Sequence, residues 1–230
     1  MDSAQPKSDK RKLIAFTLPM AVFITLLGLA GGGSRPETVS WFAWPVYWVY
    51  PIQTAICGAL LLWFWRDYDF HGPRKVWFGL AIGLIVFVVW IAPQQFFGGA
   101  PRSIGFDPGV FDKDSTLYWA TVLLRFLRLV VVVPLVEEIF WRGFLLRYLI
   151  NEKFTTVPVG AFSWFSFLVV TFAFGFSHLR ADWIAALICG ALYNLVAWRT
   201  QSLASCVVAH AITNLGLGLW IMQTRQWGFW

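Results

Sequence analysis

Hydrophobic residues in this chain come in long blocks separated by short polar segments, and the blocks are Leu13–Ala30, Val46–Trp65, Val76–Ile91, Leu129–Ile150, Val157–Phe176, Ala181–Trp198 and Leu203–Met222. Each is at or near the ~20 residues that a helix needs to cross about 30 Å of hydrocarbon. The pattern predicts an all-α integral membrane bundle of seven or eight transmembrane helices. The eighth would be Leu117–Val133, because Leu117–Ile150 exceeds one crossing and contains Pro134, which can kink or divide a helix. One span from Leu129 is the preferred division, and it sets Glu137 and Glu138 close to the middle of the bilayer; a span ending at Val136 would leave them at its edge.

The polar segments fix topology. Lys7, Lys10, Arg11 and Lys12 precede the first block, and alternate loops hold Arg66, Arg74, Lys75, Arg147, Lys153 and Arg199, which by the positive-inside rule makes the N-terminus cytoplasmic. Residues 1–12 read as a disordered cytoplasmic tail and residues 13–230 as a single transmembrane domain. The first block resembles the apolar part of a signal peptide, yet it is long and lacks a clear small-residue cleavage site, so it is read as retained. The longest loop, Pro93–Ser115, is rich in Gly and Pro and reads as an external cover for a cavity mouth. Aromatic clusters at Trp41–Trp44 and Trp227–Trp230 suit the headgroup layer.

Composition agrees: 58% hydrophobic against 13% charged residues, with 22 Phe and 15 Trp, excludes an ordinary soluble domain. The net charge of +6 is spread over loop ends and forms no basic stripe, so nucleic acid is not an expected partner. Cys57, Cys189 and Cys206 lie inside blocks without CxxC spacing and read as buried fillers.

Charges inside the blocks carry the chemistry. An ionisable side chain near the bilayer centre costs about 2.5–3.5 kcal/mol on insertion scales and is a functional candidate by default. Glu138 and Arg142 stand at i and i+4, on one helix face, where a salt bridge lowers that cost. Glu137 points about 100° away and is left free. His178 lies at the outer end of the fifth block, and His210 lies in the seventh with Asn214 one turn later. A lone histidine at membrane depth is more often a helix-packing partner than a catalyst. Together, a Glu, two His and an Asn can activate water and stabilise an oxyanion. Glu137 and His178 would hold the water and take its proton, and His210 and Asn214 would donate to the oxyanion. No His-Glu-x-x-His occurs, and adjacent glutamates diverge on a helix, so no cofactor is expected, although a Glu/His/His metal site remains geometrically open.

Glu-Glu-x-x-x-Arg at Glu137–Arg142, Phe-x-x-x-His at Phe174–His178 and His-x-x-x-Asn at His210–Asn214, in this order on separate spans, resemble the CAAX prenyl protease and bacteriocin-processing (CPBP) intramembrane proteases. The resemblance covers roughly residues 117–222. It implies an endopeptidase with Glu137, His178, His210 and Asn214 in catalytic roles, Glu138 and Arg142 as support, and Phe174 lining the site. It further implies a membrane protein or peptide substrate, prenylated or not, in a bacterial plasma membrane. A non-catalytic scaffold or regulator and a small proton-coupled transporter are the alternatives. Arg125 and Arg128 precede the first motif in a way the family pattern does not require. They read as interface anchors snorkelling at the outer flank, with a contact to a substrate carboxylate or lipid phosphate as the sharper alternative. His71 is given no role, and Asn194 reads as interhelical glue.

Overall fold

A computed structural model of the chain describes residues 5–30, 44–68 and 70–230, with side chains from residue 9. Every regular element among them is helical: α1 (Gln5–Ala30), α2 (Val46–Trp63), α3 (Val76–Phe96), α4 (Thr116–Tyr148), α5 (Trp164–Phe176), α6 (Trp183–Thr200) and α7 (Leu203–Thr224), with short turns between. Six stretches are long and apolar enough to cross a membrane: α1 from Asp9, α2, α3, α4, α6 from Arg180, and α7. Large apolar side chains such as Leu29, Leu62, Leu123 and Ile184 stand exposed on their outward faces, the surface that lipid contact requires.

Six candidate spans and one shorter apolar helix therefore stand where seven or eight spans were expected. The shorter helix is α5, whose 13 residues cover about 20 Å. Its block starts at Val157, but Gly160, at φ 79°, turns the chain there, and the helix begins only after Ser163, whose hydroxyl accepts from the Ser166 amide.

The division of Leu117–Ile150 does not occur, and the span does not begin at Leu129. Helix α4 runs unbroken for 33 residues, about 50 Å at 1.5 Å per residue. Pro134 lies within it, and the chain winds as π-helix just before the proline, over Arg128–Val132, and again later, over Ile139–Leu145. Glu137 and Glu138 sit between these two stretches. Such wide turns are frequent at functional sites.

Three further expectations change. The polar stretch read as a disordered tail is helical from Gln5, and Arg11 ties it down through a 3.0 Å contact with Asp67. Arg125 and Arg128 do not snorkel: they are 3% and 6% exposed, because α2 and the 97–115 loop cover that face of α4. Of the aromatic clusters, Trp41–Ala43 lie outside the described residues, Trp44 is buried, and Trp230 turns inward onto Phe106 and Phe126. The three cysteines are buried and free.

α7 packs along α3, α6 along α5 and α1 along α2, with α4 touching α1, α2 and α7. The α3–α7 contact depends on close backbone approach. A methyl group at Gly83 would come within 2.5 Å of the Ala209 carbonyl oxygen, and the Gly83 carbonyl accepts from Thr213 Oγ1 at 2.8 Å. Small residues at such crossings let membrane helices approach closely enough to exchange hydrogen bonds. Gly83→Ala should therefore overpack the seam and destabilise by about 1–3 kcal/mol, read as a lower thermal midpoint of the detergent-solubilised protein. Gly58→Ala, where no atom lies within 4 Å, should leave the midpoint unchanged or raise it.

Candidate active site

The site is assembled on α4, α5, α6 and α7. From α4 come Glu137, Glu138 and Arg142; α5 supplies Phe174, with His178 two residues past its end. α6 supplies Tyr193 and Asn194, and α7 supplies His210, Thr213 and Asn214.

Glu138 and Arg142 are fully buried, and Arg142 Nη1 donates to Glu138 Oε1 at 3.0 Å. The guanidinium also donates from Nε to Asn194 Oδ1 at 3.0 Å and from Nη2 to the Gly190 carbonyl at 3.1 Å. Phe174 and Tyr193 flank it, 4.9 and 5.3 Å from its carbon to their ring centres. Asn194 Nδ2 lies 3.2 Å from both the Phe167 carbonyl and Thr171 Oγ1 on α5, so the residue read as glue links α4, α5 and α6. A buried ion pair of this kind adds little net stability over apolar packing, but removing one partner strands the other in a medium that cannot solvate it.

Glu138 has a second partner. His210 Nδ1 lies 2.8 Å from Glu138 Oε1, and because the carboxylate is an acceptor, Nδ1 carries the proton and Nε2 is the ring nitrogen left for other partners. The Tyr193 ring packs on the imidazole at 5.1 Å between centres, and its hydroxyl donates to Thr213 Oγ1 at 2.7 Å. Glu138 Oε2 is buried without a hydrogen-bond partner among the described residues.

His178 is held differently. Its Nδ1 lies 2.8 Å from the Phe174 carbonyl, which puts a proton on Nδ1 and leaves Nε2 for other partners. The ring packs against Phe174 at 4.8 Å and Trp90 at 5.5 Å. Glu137 is half-buried and has no hydrogen-bond or ion-pair partner among the described residues. It is not bonded to His178.

Asn214 donates from Nδ2 to the Leu129 carbonyl at 2.8 Å, and Pro134 explains why that carbonyl is available. In the π-helical register the Val133 amide bonds Arg128 five residues back, so the next amide would bond Leu129. Residue 134 is proline and has no N–H to give. Asn214 fills the vacancy and is thereby fixed beside α4, with its second amide hydrogen left for the site.

The expected residues thus fall into connected groups. Glu138, Arg142 and His210 form one hydrogen-bonded unit, Phe174 bridges it to His178 by ring contact, and Asn214 is fastened to α4. Glu137 stands beside them uncommitted. Sequence reasoning did not anticipate Tyr193, Thr213 or the link from Glu138 to His210; a tyrosine and a threonine inside apolar blocks were the available signal. No group of three or more His, Cys, Asp or Glu that would hold a metal ion exists among the described residues. His71 lines a surface groove with Arg74, Arg147 and Gln201, and no site residue forms part of its wall.

Asn214→Ala should strand the Leu129 carbonyl and lower stability by about 1–3 kcal/mol in thermal or denaturant unfolding. Pro134→Ala restores an amide at that position, so the same asparagine change should cost much less in the Pro134→Ala background. Additive losses would show that Asn214 does not answer for the proline.

Neither a comparison with curated proteins nor one with solved structures finds a match. Residues 119–216 match the family model described as Rce1-like, type II CAAX prenyl endopeptidase, which supports over that stretch the resemblance to the CPBP intramembrane proteases carried by the three motifs.

Proposed function

We propose that the chain is an intramembrane endopeptidase that hydrolyses a peptide bond of a membrane protein or peptide with water activated by Glu137 and His178, without a metal. The family match supports protease activity of the CAAX type in a multi-pass membrane protein. The observation that carries the finer reading is the division of labour between adjacent carboxylates. Glu138 is saturated on one oxygen by Arg142 and His210, whereas Glu137, half-buried beside it, has no partner.

In this reading water sits between Glu137 and His178 Nε2. As its oxygen bonds to the carbonyl carbon, its proton passes to Glu137 and the carbonyl π pair moves onto oxygen. His210, as the imidazolium that Glu138 steadies at Nδ1, donates from Nε2 to that oxyanion, and Asn214 donates its remaining amide hydrogen. The intermediate collapses with cleavage of the C–N bond. The leaving amine takes the proton from Glu137, giving a free acid and a free amine. Arg142, Asn194 and Phe174 hold geometry and touch no reacting atom.

New peptide termini in membranes of cells carrying the wild type should disappear in Glu137→Gln, with turnover down by at least about 10²-fold, and chelator should leave the wild-type termini unchanged. Identical termini in both strains would exclude glutamate-dependent proteolysis and favour a scaffold; termini lost on chelation would restore a metal.

A further inference from the structure

Nine and twelve residues before Glu137 on α4, Arg128 and Arg125 form a cluster that the proposed chemistry does not use. The guanidinium of Arg125 lies 4.3 Å from the Tyr50 ring centre, 4.8 Å from that of Phe106 and 5.6 Å from that of Trp230. Arg128 lies 4.4 Å from Tyr50, and its Nε donates to Gln53 Oε1 at 2.6 Å. Neither arginine has an ion-pair partner among the described residues, although both are more than nine-tenths buried.

Unpaired donors concentrate here. Arg125 Nε and Nη1, Thr121 Oγ1 one helical turn earlier and Trp230 Nε1 are all buried without a hydrogen-bond partner. Aromatic faces offset only part of the cost of burying an uncompensated cation. A cluster of buried donors and two positive charges suits an anion that accepts several hydrogen bonds, and the guanidinium fork matches a carboxylate.

We propose that Arg125 and Arg128 bind the free C-terminal carboxylate of the peptide substrate. This rests on the protease reading above. The cluster is screened by Tyr50, Phe106 and Trp230, and it stands on the helix that carries Glu137. Nine residues of helix span about 14 Å, which an extended peptide covers in about four residues. A peptide lying along α4 with its carboxylate at the arginines would place a bond near its end at Glu137.

The test uses the full-length Glu137→Gln protein in phosphatidylcholine nanodiscs, so that binding is read without cleavage. Fluorescein-labelled random decapeptides lacking Asp and Glu are compared as free acids and as C-terminal amides by anisotropy. The acids should bind at least ~10-fold more tightly than the amides. That preference should vanish on adding Arg125→Gln or Arg128→Gln and survive Arg128→Lys, which keeps the charge. Equal binding of acids and amides, or a preference untouched by either glutamine change, overturns the proposal. So does a preference abolished by phosphatidylglycerol that co-purifies only when both arginines are present, because the site is then a lipid-phosphate site. Cleavage by the wild type is scored separately: an acid preference without cleavage would sink the protease reading and leave the carboxylate site standing.

Discussion

The ion pair between Glu138 and Arg142, closed at 3.0 Å in a fully buried setting, is the interaction from which the rest of the site follows. An unpaired charge in an apolar interior is costly, and both members of this pair find further partners, which come from different helices. Arg142 reaches Asn194 and the Gly190 carbonyl on α6, and Glu138 reaches His210 on α7. The register of α4 against α6 and α7 is therefore set by hydrogen bonds, in surroundings where apolar packing alone discriminates weakly between sliding positions. A pair that adds little net stability instead specifies one arrangement.

The same accounting applies to the backbone. Where a helix at membrane depth loses a hydrogen bond, a side chain has to supply it, because water does not. Pro134 removes one amide, and Asn214 answers at Leu129. The two π-helical stretches on either side of Glu137 and Glu138 widen the turns of α4 around the carboxylates. A local defect in α4 thus becomes the means by which α7 is fastened beside it, and the asparagine so placed is the one aligned with His210 a turn earlier.

Much of this was legible in the sequence, for physical reasons. Apolar blocks of crossing length show through because lipid demands them, and the boundaries of α2, α3 and α7 lie within a few residues of the expected ones. Glu138–Arg142 was readable because i,i+4 geometry is local. What escaped was non-local. Nothing in the spacing says that His210, 72 residues away, completes Glu138. Pro134 reads as a breaker in one dimension, whereas its tolerance depends on a donor from α7. The burial of Arg125 and Arg128 depends on Tyr50 from α2 and Phe106 from a loop, so an arginine pair near a block's edge looked like an interface anchor. The shortness of α5 depends on where a turn at Gly160 and a cap at Ser163 happen to fall, which block length alone conceals.

The two histidines show how far identical side chains are separated by one neighbour each. Both place Nδ1 at 2.8 Å from an oxygen, but that oxygen belongs to a neutral backbone carbonyl for His178 and to a carboxylate for His210. A carbonyl accepts from Nδ1–H and so orients the ring with Nε2 turned away from it. A carboxylate accepts the same kind of Nδ1–H bond but places a negative charge beside the ring. The nearby Arg142 donates to the same carboxylate oxygen, so one oxygen serves donors from two helices. Strengthening the ion pair would weaken the hold on His210, so the packing of α4 against α7 depends on the balance struck at Glu138 Oε1.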